Sequence, residues 1–137
     1  MKTFKFTITT PERTLLSEEI EQVSLPTEMG EITILPHHIP LVSLLRPGEM
    51  RVIRNGKEEL YAVAGGFIEV SEQGVTVLAD AAEHADEIDE AKAEEARKRA
   101  EEVMSKEVES EERYIAAQLD LQKHMARLRV ARKRKKR

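Results

Sequence analysis

Phe4, Phe6 and Ile8 alternate with Lys5 and Thr7, the two-residue period of a strand with one buried face. Short apolar runs broken by turn residues continue to about Asp80, and no sustained helical period interrupts them. Asn55-Gly56 separates Arg51-Val52-Ile53 from Leu60-Tyr61-Ala62-Val63. Both turn residues tolerate the positive φ of a type I′ turn, so a hairpin is predicted there. A second is predicted around Gln73-Gly74, between Phe67-Ile68-Glu69-Val70 and Val75-Thr76-Val77-Leu78. Gly65-Gly66, in strand-like surroundings, predicts a bulge or a close backbone approach. Many short strands without βαβ alternation predict a small β-sandwich or flattened barrel.

From Asp86 the texture changes to Ala, Glu, Lys and Arg, and neither Gly nor Pro occurs again. The first helix is predicted to start near Asp89, with Asp86 or Asp89 as N-cap and Ala93, Ala96, Ala100 and Val103 on one narrow stripe. Ser105–Ser110 marks a break. A second helix then presents Tyr114, Ala117, Leu121, Met125 and Leu128 along one face, near the coiled-coil period. The predicted fold class is α+β: an all-β domain, a sandwich or flattened barrel, over residues 1–84, then an antiparallel two-helix hairpin over 85–137. Alanine methyls dominate the first helix's seam, and at about 0.8 kcal/mol per buried CH₂ such a contact is weak before entropy is subtracted. The hairpin is therefore expected to exchange between folded and extended forms.

Charge sharpens this division. The formal net charge of -4 divides into 12 acids and 7 bases in residues 1–82, 14 acids and 6 bases in 83–120, and 9 bases with no acid in 121–137. Four of the five aromatics, Phe4, Phe6, Tyr61 and Phe67, lie in the first part and only Tyr114 in the second. The absence of cysteine removes disulfides and thiolate metal sites and is compatible with the cytosol. No run approaches the roughly 18 apolar residues of a membrane span, and the N-terminus lacks a signal-peptide apolar stretch, so a soluble chain that stays inside the cell is expected.

Candidate chemistry is sparse. His37 and His38 lie between Pro36 and Pro40, which predict extended backbone; adjacent histidines in a strand point to opposite faces and cannot easily share a metal ion. No Ser or Cys nucleophile with an orienting acid, no Gly-rich phosphate loop and no carboxylate metal cluster is evident. The segment Arg127–Arg137 (RLRVARKRKKR) is open to three readings: a nucleic-acid or anionic-lipid patch, a solvated terminus, or a contact for an acidic protein surface. Glu83, Ile88, Asp89, Lys92 and Ala93 cluster at the junction. If the helices fold back, Lys92 could approach the basic end of the second helix, where Lys123 and Arg127 are one turn apart, and frame an anion site.

Four motifs in register extend this reading: Gly30-Glu31-Ile32-x-Ile34-Leu35-Pro36-x-His38-x-Pro40-Leu41, Gly65-Gly66-Phe67-Ile68-Glu69-Val70, Val75-Thr76-Val77-Leu78-Ala79-Asp80 and Ile88-Asp89. Across essentially its whole length the chain resembles the epsilon subunits of bacterial F-type ATP synthases. The resemblance implies about ten strands in the sandwich and a helix-turn-helix behind it. It implies a non-catalytic rotor subunit at the cytoplasmic face of the membrane, associated with the membrane only through its complex. Its sandwich would bind the gamma subunit and the c-subunit ring, with Glu31 and His38 on ring-facing loops. Its extended helices would restrain ATP hydrolysis, with Arg113, Lys123, Arg127, Arg129, Arg132, Lys133, Arg134, Lys135, Lys136 and Arg137 meeting beta (and alpha) or gamma subunits. No nucleic acid and no metal are implied, and no cofactor is required. Some members bind regulatory ATP on the folded hairpin, which transfers to Glu83, Ile88, Asp89, Lys92, Ala93, Lys123 and Arg127. Lys92 replaces the arginine of that motif and lacks its planar fork, so binding is expected to be weakened.

Overall fold

A computed structural model describes residues 2–106 and 110–135. Ten strands precede the helices: β1 Phe4–Thr9, β2 Thr14–Ile20, β3 Gln22–Thr27, β4 Gly30–Ile34, β5 Leu41–Leu44, β6 Gly48–Arg54, β7 Lys57–Val63, β8 Gly66–Ser71, β9 Gly74–Ala79 and β10 Ala82–His84. A 3₁₀ turn, Ala85–Glu87, leads into α1 Glu90–Ser105, and α2 spans Glu111–Lys135. The expected break is bounded by Ser105 and Ser110, but residues 107–109 within it lie outside the described residues.

The strands form two five-stranded sheets, in order β2-β1-β9-β8-β5 and β10-β7-β6-β3-β4. All pairs are antiparallel except β1 with β9. The alternation read at the N-terminus places Phe6 and Ile8 at 0% exposure, in a core shared with Leu25, Met50, Val52, Tyr61, Val63, Ile68 and Val77. Burying such side chains holds the two sheets face to face.

Asn55 and Gly56 have φ of 54° and 74° and join Arg54 to Lys57, the turn their chemistry predicts. The second hairpin differs by one residue. Ser71 pairs with Gly74, so Glu72 and Gln73 make the turn and Gly74, at φ 138°, opens β9. A Cβ on Gly74 would lie 2.5 Å from the Lys5 carbonyl oxygen, so glycine serves the β1–β9 approach rather than the turn. At Gly66 the expected close approach is present: a Cβ there would lie 2.1 Å from the Leu78 carbonyl oxygen. The extended backbone expected between Pro36 and Pro40 is not, because His37 occupies the left-handed region at φ 66° and turns the chain.

Candidate functional site

The junction is built around β7. Tyr61 and Val63 point into the sandwich, while Leu60 and Ala62 point outward into a second apolar cluster with Ala85, Ile88, Ala93, Leu128, Val130 and Ala131. Covering both faces explains the unbroken apolar run Leu60–Val63. Asp89 is the N-cap of α1; its carboxylate accepts the Lys92 amide at 3.1 Å, as its position before the helix predicts. His84 and Glu87 form a capping box around the 3₁₀ turn, and Arg13 of the β1–β2 loop pairs with Glu87 at 2.5 Å. That guanidinium, and secondarily the His84 amide, hold the Glu87 carboxyl below the usual carboxylate range.

Only Leu128 of the apolar stripe expected on α2 is deeply buried; Tyr114 and Met125 are 46% and 42% exposed. Ala126, Leu128, Val130 and Ala131 are buried instead, because the last turns of α2 meet α1 and the sandwich together and need a wider apolar face than a two-helix seam. On α1, Ala93 and Ala100 are buried and Val103 is 51% exposed.

Of the residues expected to hold a nucleotide, Glu83, Lys123 and Arg127 converge on a cavity of about 60 Å³ between β10 and α2. Arg127 donates from Nε to Glu83 at 2.8 Å and from its amino group to His124 Nδ1 at 3.0 Å. Since arginine only donates, Nδ1 carries the lone pair and the ring proton resides on Nε2, 3.3 Å from Asp120. Burial pushes the His124 imidazole below its ordinary pKa, and Asp120 partly opposes that push. Ile88 and Ala93 are packing residues beneath this seam, and Asp89 is committed to capping. Lys92 is exposed and does not line the cavity. The α1 residues that pair with the basic end of α2 are Glu90 and Glu94, as opposite charges attract there. A larger groove of about 720 Å³ opens beside Lys123, between Leu119 and Asp120 of α2 and Arg46, Gly65 and Asp80 of the sandwich.

Among the residues expected to meet catalytic subunits, Arg113 and Arg129 lie at exposed positions on α2, and Arg132, Lys133, Arg134 and Lys135 pair with acids of this same chain. Lys136 and Arg137 lie outside the described residues. Sequence reasoning missed Glu49, Asp86, Glu90 and Glu94 as the partners of this run. The signal was present for two of them: acids one turn apart at the start of α1 and bases at the end of α2 must meet in an antiparallel pair.

Glu31 is the second residue of β4, paired with Arg51, rather than a loop residue. His38 is in the loop beyond the other end of that strand, with Nδ1 2.7 Å from the Ile39 carbonyl oxygen. Leu35 and Ile39 beside it are 53% and 75% exposed. The outer face of the β2-β1-β9-β8-β5 sheet is uneven. Leu44, Phe67 and Leu78 stand in register across β5, β8 and β9, at 53%, 39% and 38% exposure, flanked by Val42 at 68% and Met29 at 77%. Toward β1 and β2 the same face is polar, with Thr7 against Ser17.

One outer sheet capped by a charge-paired helical hairpin, the other bare and apolar at one edge, is the build of a subunit that works by contact within a larger assembly. Residues 3–85 match the ATP synthase Delta/Epsilon chain beta-sandwich domain and residues 86–132 the ATP synthase Delta/Epsilon chain long alpha-helix domain. The chain is 47% identical to the ATP synthase epsilon chain of Herpetosiphon aurantiacus over 95% of both chains. It is 44% identical to that of Bacillus velezensis over 96% of this chain and 98% of the relative. Its fold is similar to a chain in the cryo-EM structure of the Euglena gracilis mitochondrial ATP synthase OSCP/F1/c-ring, with a TM-score of 0.76 at 26% identity, covering 90% of this chain and 78% of that one. A chain of the Tetrahymena thermophila central stalk/c-ring structure shares the fold with a TM-score of 0.70 at 13% identity, over 95% and 97%. The chain belongs to the ATP synthase epsilon-chain family, as a subunit of the F-type ATP synthase that is not catalytic alone. No helix among the described residues is long and apolar enough to cross a membrane.

Proposed function

We propose that this chain is a central-stalk rotor subunit that couples c-ring rotation to the catalytic head, at the cytoplasmic face of a bacterial membrane. The observation that carries the reading is the bare apolar row Leu44-Phe67-Leu78 with Val42 and Met29, a surface a freely diffusing monomer rarely leaves uncovered. The gamma subunit is its proposed occupant. The loop Leu35–Pro40, with His38, and Glu31 at the opposite end of β4 are proposed to meet the c ring.

The helical pair is the regulatory part of the proposal. In the closed form described above its basic end lies on the sandwich. Extended beside gamma, α2 would present Arg113, Lys123, Arg127, Arg129 and the terminal run to acidic surface of a beta or alpha subunit and restrain ATP hydrolysis. Regulatory ligand binding is favoured by one specific feature: Lys123 forms no ion pair among the described residues and lines the cavity one helical turn from Arg127, opposite Glu83 of β10. We read this as the place where regulatory ATP docks its phosphates; because about 60 Å³ is far below the roughly 300 Å³ of a small-ligand pocket, the seam must widen to admit it.

The test is reconstitution with alpha, beta and gamma subunits. The full chain should lower steady-state ATP hydrolysis several-fold, and replacing Arg129, Arg132, Lys133, Arg134 and Lys135 by Gln should relieve that inhibition without loss of binding. Phe67→Asp should weaken association with gamma. Undiminished hydrolysis with the full chain would remove the inhibitory reading, and unchanged association of Phe67→Asp would remove the assigned face.

A further inference from the structure

Four consecutive cations at the end of α2 are engaged by carboxylates from three different parts of the chain. Arg132 reaches Glu90 at 3.2 Å and Glu94 at 3.1 Å, both on α1. Lys135 reaches Glu90 at 2.5 Å, Lys133 reaches Glu49 of β6 at 2.7 Å, and Arg134 reaches Asp86 of the 3₁₀ turn at 3.6 Å. Glu49 stands opposite Ala62 in the β6–β7 register, on the sheet face that α2 covers, and keeps only 14% of its side chain exposed. Lys135, and secondarily Arg132, hold Glu90 below the usual carboxylate range, while Glu94 is held low chiefly by Arg97. The antiparallel geometry adds to this, since the acids flank the positive end of α1 and the bases the negative end of α2.

We propose that Glu49, Asp86, Glu90 and Glu94 form an internal acidic cradle for Arg132–Lys135, so that an external acidic protein surface must compete with the chain's own carboxylates for these cations. The cradle is a competitor built into the fold. It makes the closed form self-sequestering, and it resides in the isolated chain whatever the assembled enzyme does with the released helix. Each pair is at least partly exposed and individually weak, so the device acts as a set and is sensitive to ionic strength.

The experiment compares the full chain with two triple variants. One carries Glu49→Gln, Glu90→Gln and Glu94→Gln. The other carries Glu19→Gln, Glu69→Gln and Glu72→Gln, removing the same charge from exposed positions on β2, β8 and the β8–β9 turn, on the sheet α2 does not cover. Fluorescence anisotropy with a poly-glutamate peptide at low salt should show the cradle variant binding about tenfold tighter than the wild type, and the control variant binding only as its net charge dictates. Hydrogen exchange should show residues 126–135 opening faster in the cradle variant while β-strand amides keep their protection. Raising salt to about 0.5 M should produce the same opening in the wild-type chain without any substitution. Equal poly-glutamate affinity in the two variants, or α2 protection indifferent to salt, would overturn the proposal.

Discussion

Arg127 links two elements because its planar head can donate in two directions at once, to Glu83 on β10 and to His124 on its own helix. The arrangement requires an unprotonated Nδ1, which makes His124 a proton-sensitive point in the docking of α2. Asp120, Lys123 and Arg127 act on it from α2, with Glu83 behind Arg127. Its pKa is lowered in the folded chain, chiefly by burial, so the unfolded chain takes up a proton first as pH falls. Stability contributed by the neutral ring is complete above about pH 6.5 and declines as pH drops from there toward the folded pKa. Thermal unfolding followed from about pH 7.5 to pH 5.5 should therefore show a falling midpoint, and His124→Gln should flatten that part of the profile. Residue-scale features that depend on local chemistry were readable in advance: Asp89 as N-cap, Asn55-Gly56 as a turn, Gly66 as a close approach. His124 was not, because its partner Arg127 acquires a role only through Glu83, 44 residues away.

Among the elements, the strands declare themselves by period and the helices by composition, but the face each helix buries depends on what lies against it. The seven-residue pattern of α2 pointed to Tyr114, Ala117, Leu121, Met125 and Leu128, the seam of a free-standing helical pair. Docking on Leu60 and Ala62 of β7 shifted the buried face to Ala126, Leu128, Val130 and Ala131 at the end of the helix. Leu128 is the largest of these, at 2% exposure. Leu128→Ala should remove about 2–5 kcal/mol of packing from this cluster. Because the other contacts are mostly alanine, the helices should undock before the sandwich yields. Two-dimensional NMR should show large shifts throughout α2 and α1 with the β-strand resonances in place; a concerted loss of both would mean that the hairpin and the sandwich are one cooperative unit.

For the whole molecule, the proposed nucleotide response rests on how the junction is assembled. Lys92 is a point charge where a planar guanidinium would hold phosphate bidentately, and it is exposed rather than part of the lining. Calorimetric titration with ATP should accordingly give weak binding by the parent chain that Lys123→Ala abolishes and Lys92→Arg leaves unchanged, while silence of the parent chain would remove the ATP site. Alternation, turn residues and the charge gradient by themselves determined a small all-β domain followed by two antiparallel helices, because strand period, φ > 0 turns and helix propensity are local properties carried by near neighbours, while the pairing of the strands into two sheets was decided by tertiary structure. The same charge gradient displayed a run of bases but not its occupants. Tertiary structure decided that Arg132–Lys135 rest on Glu49, Asp86, Glu90 and Glu94, that Lys92 stays outside the seam, and that Leu44, Phe67 and Leu78 line up as a bare face. Each of these joins residues far apart in sequence, and only the register of the sheets and the docking of α2 bring them within the few ångströms over which ion pairs and apolar contacts act.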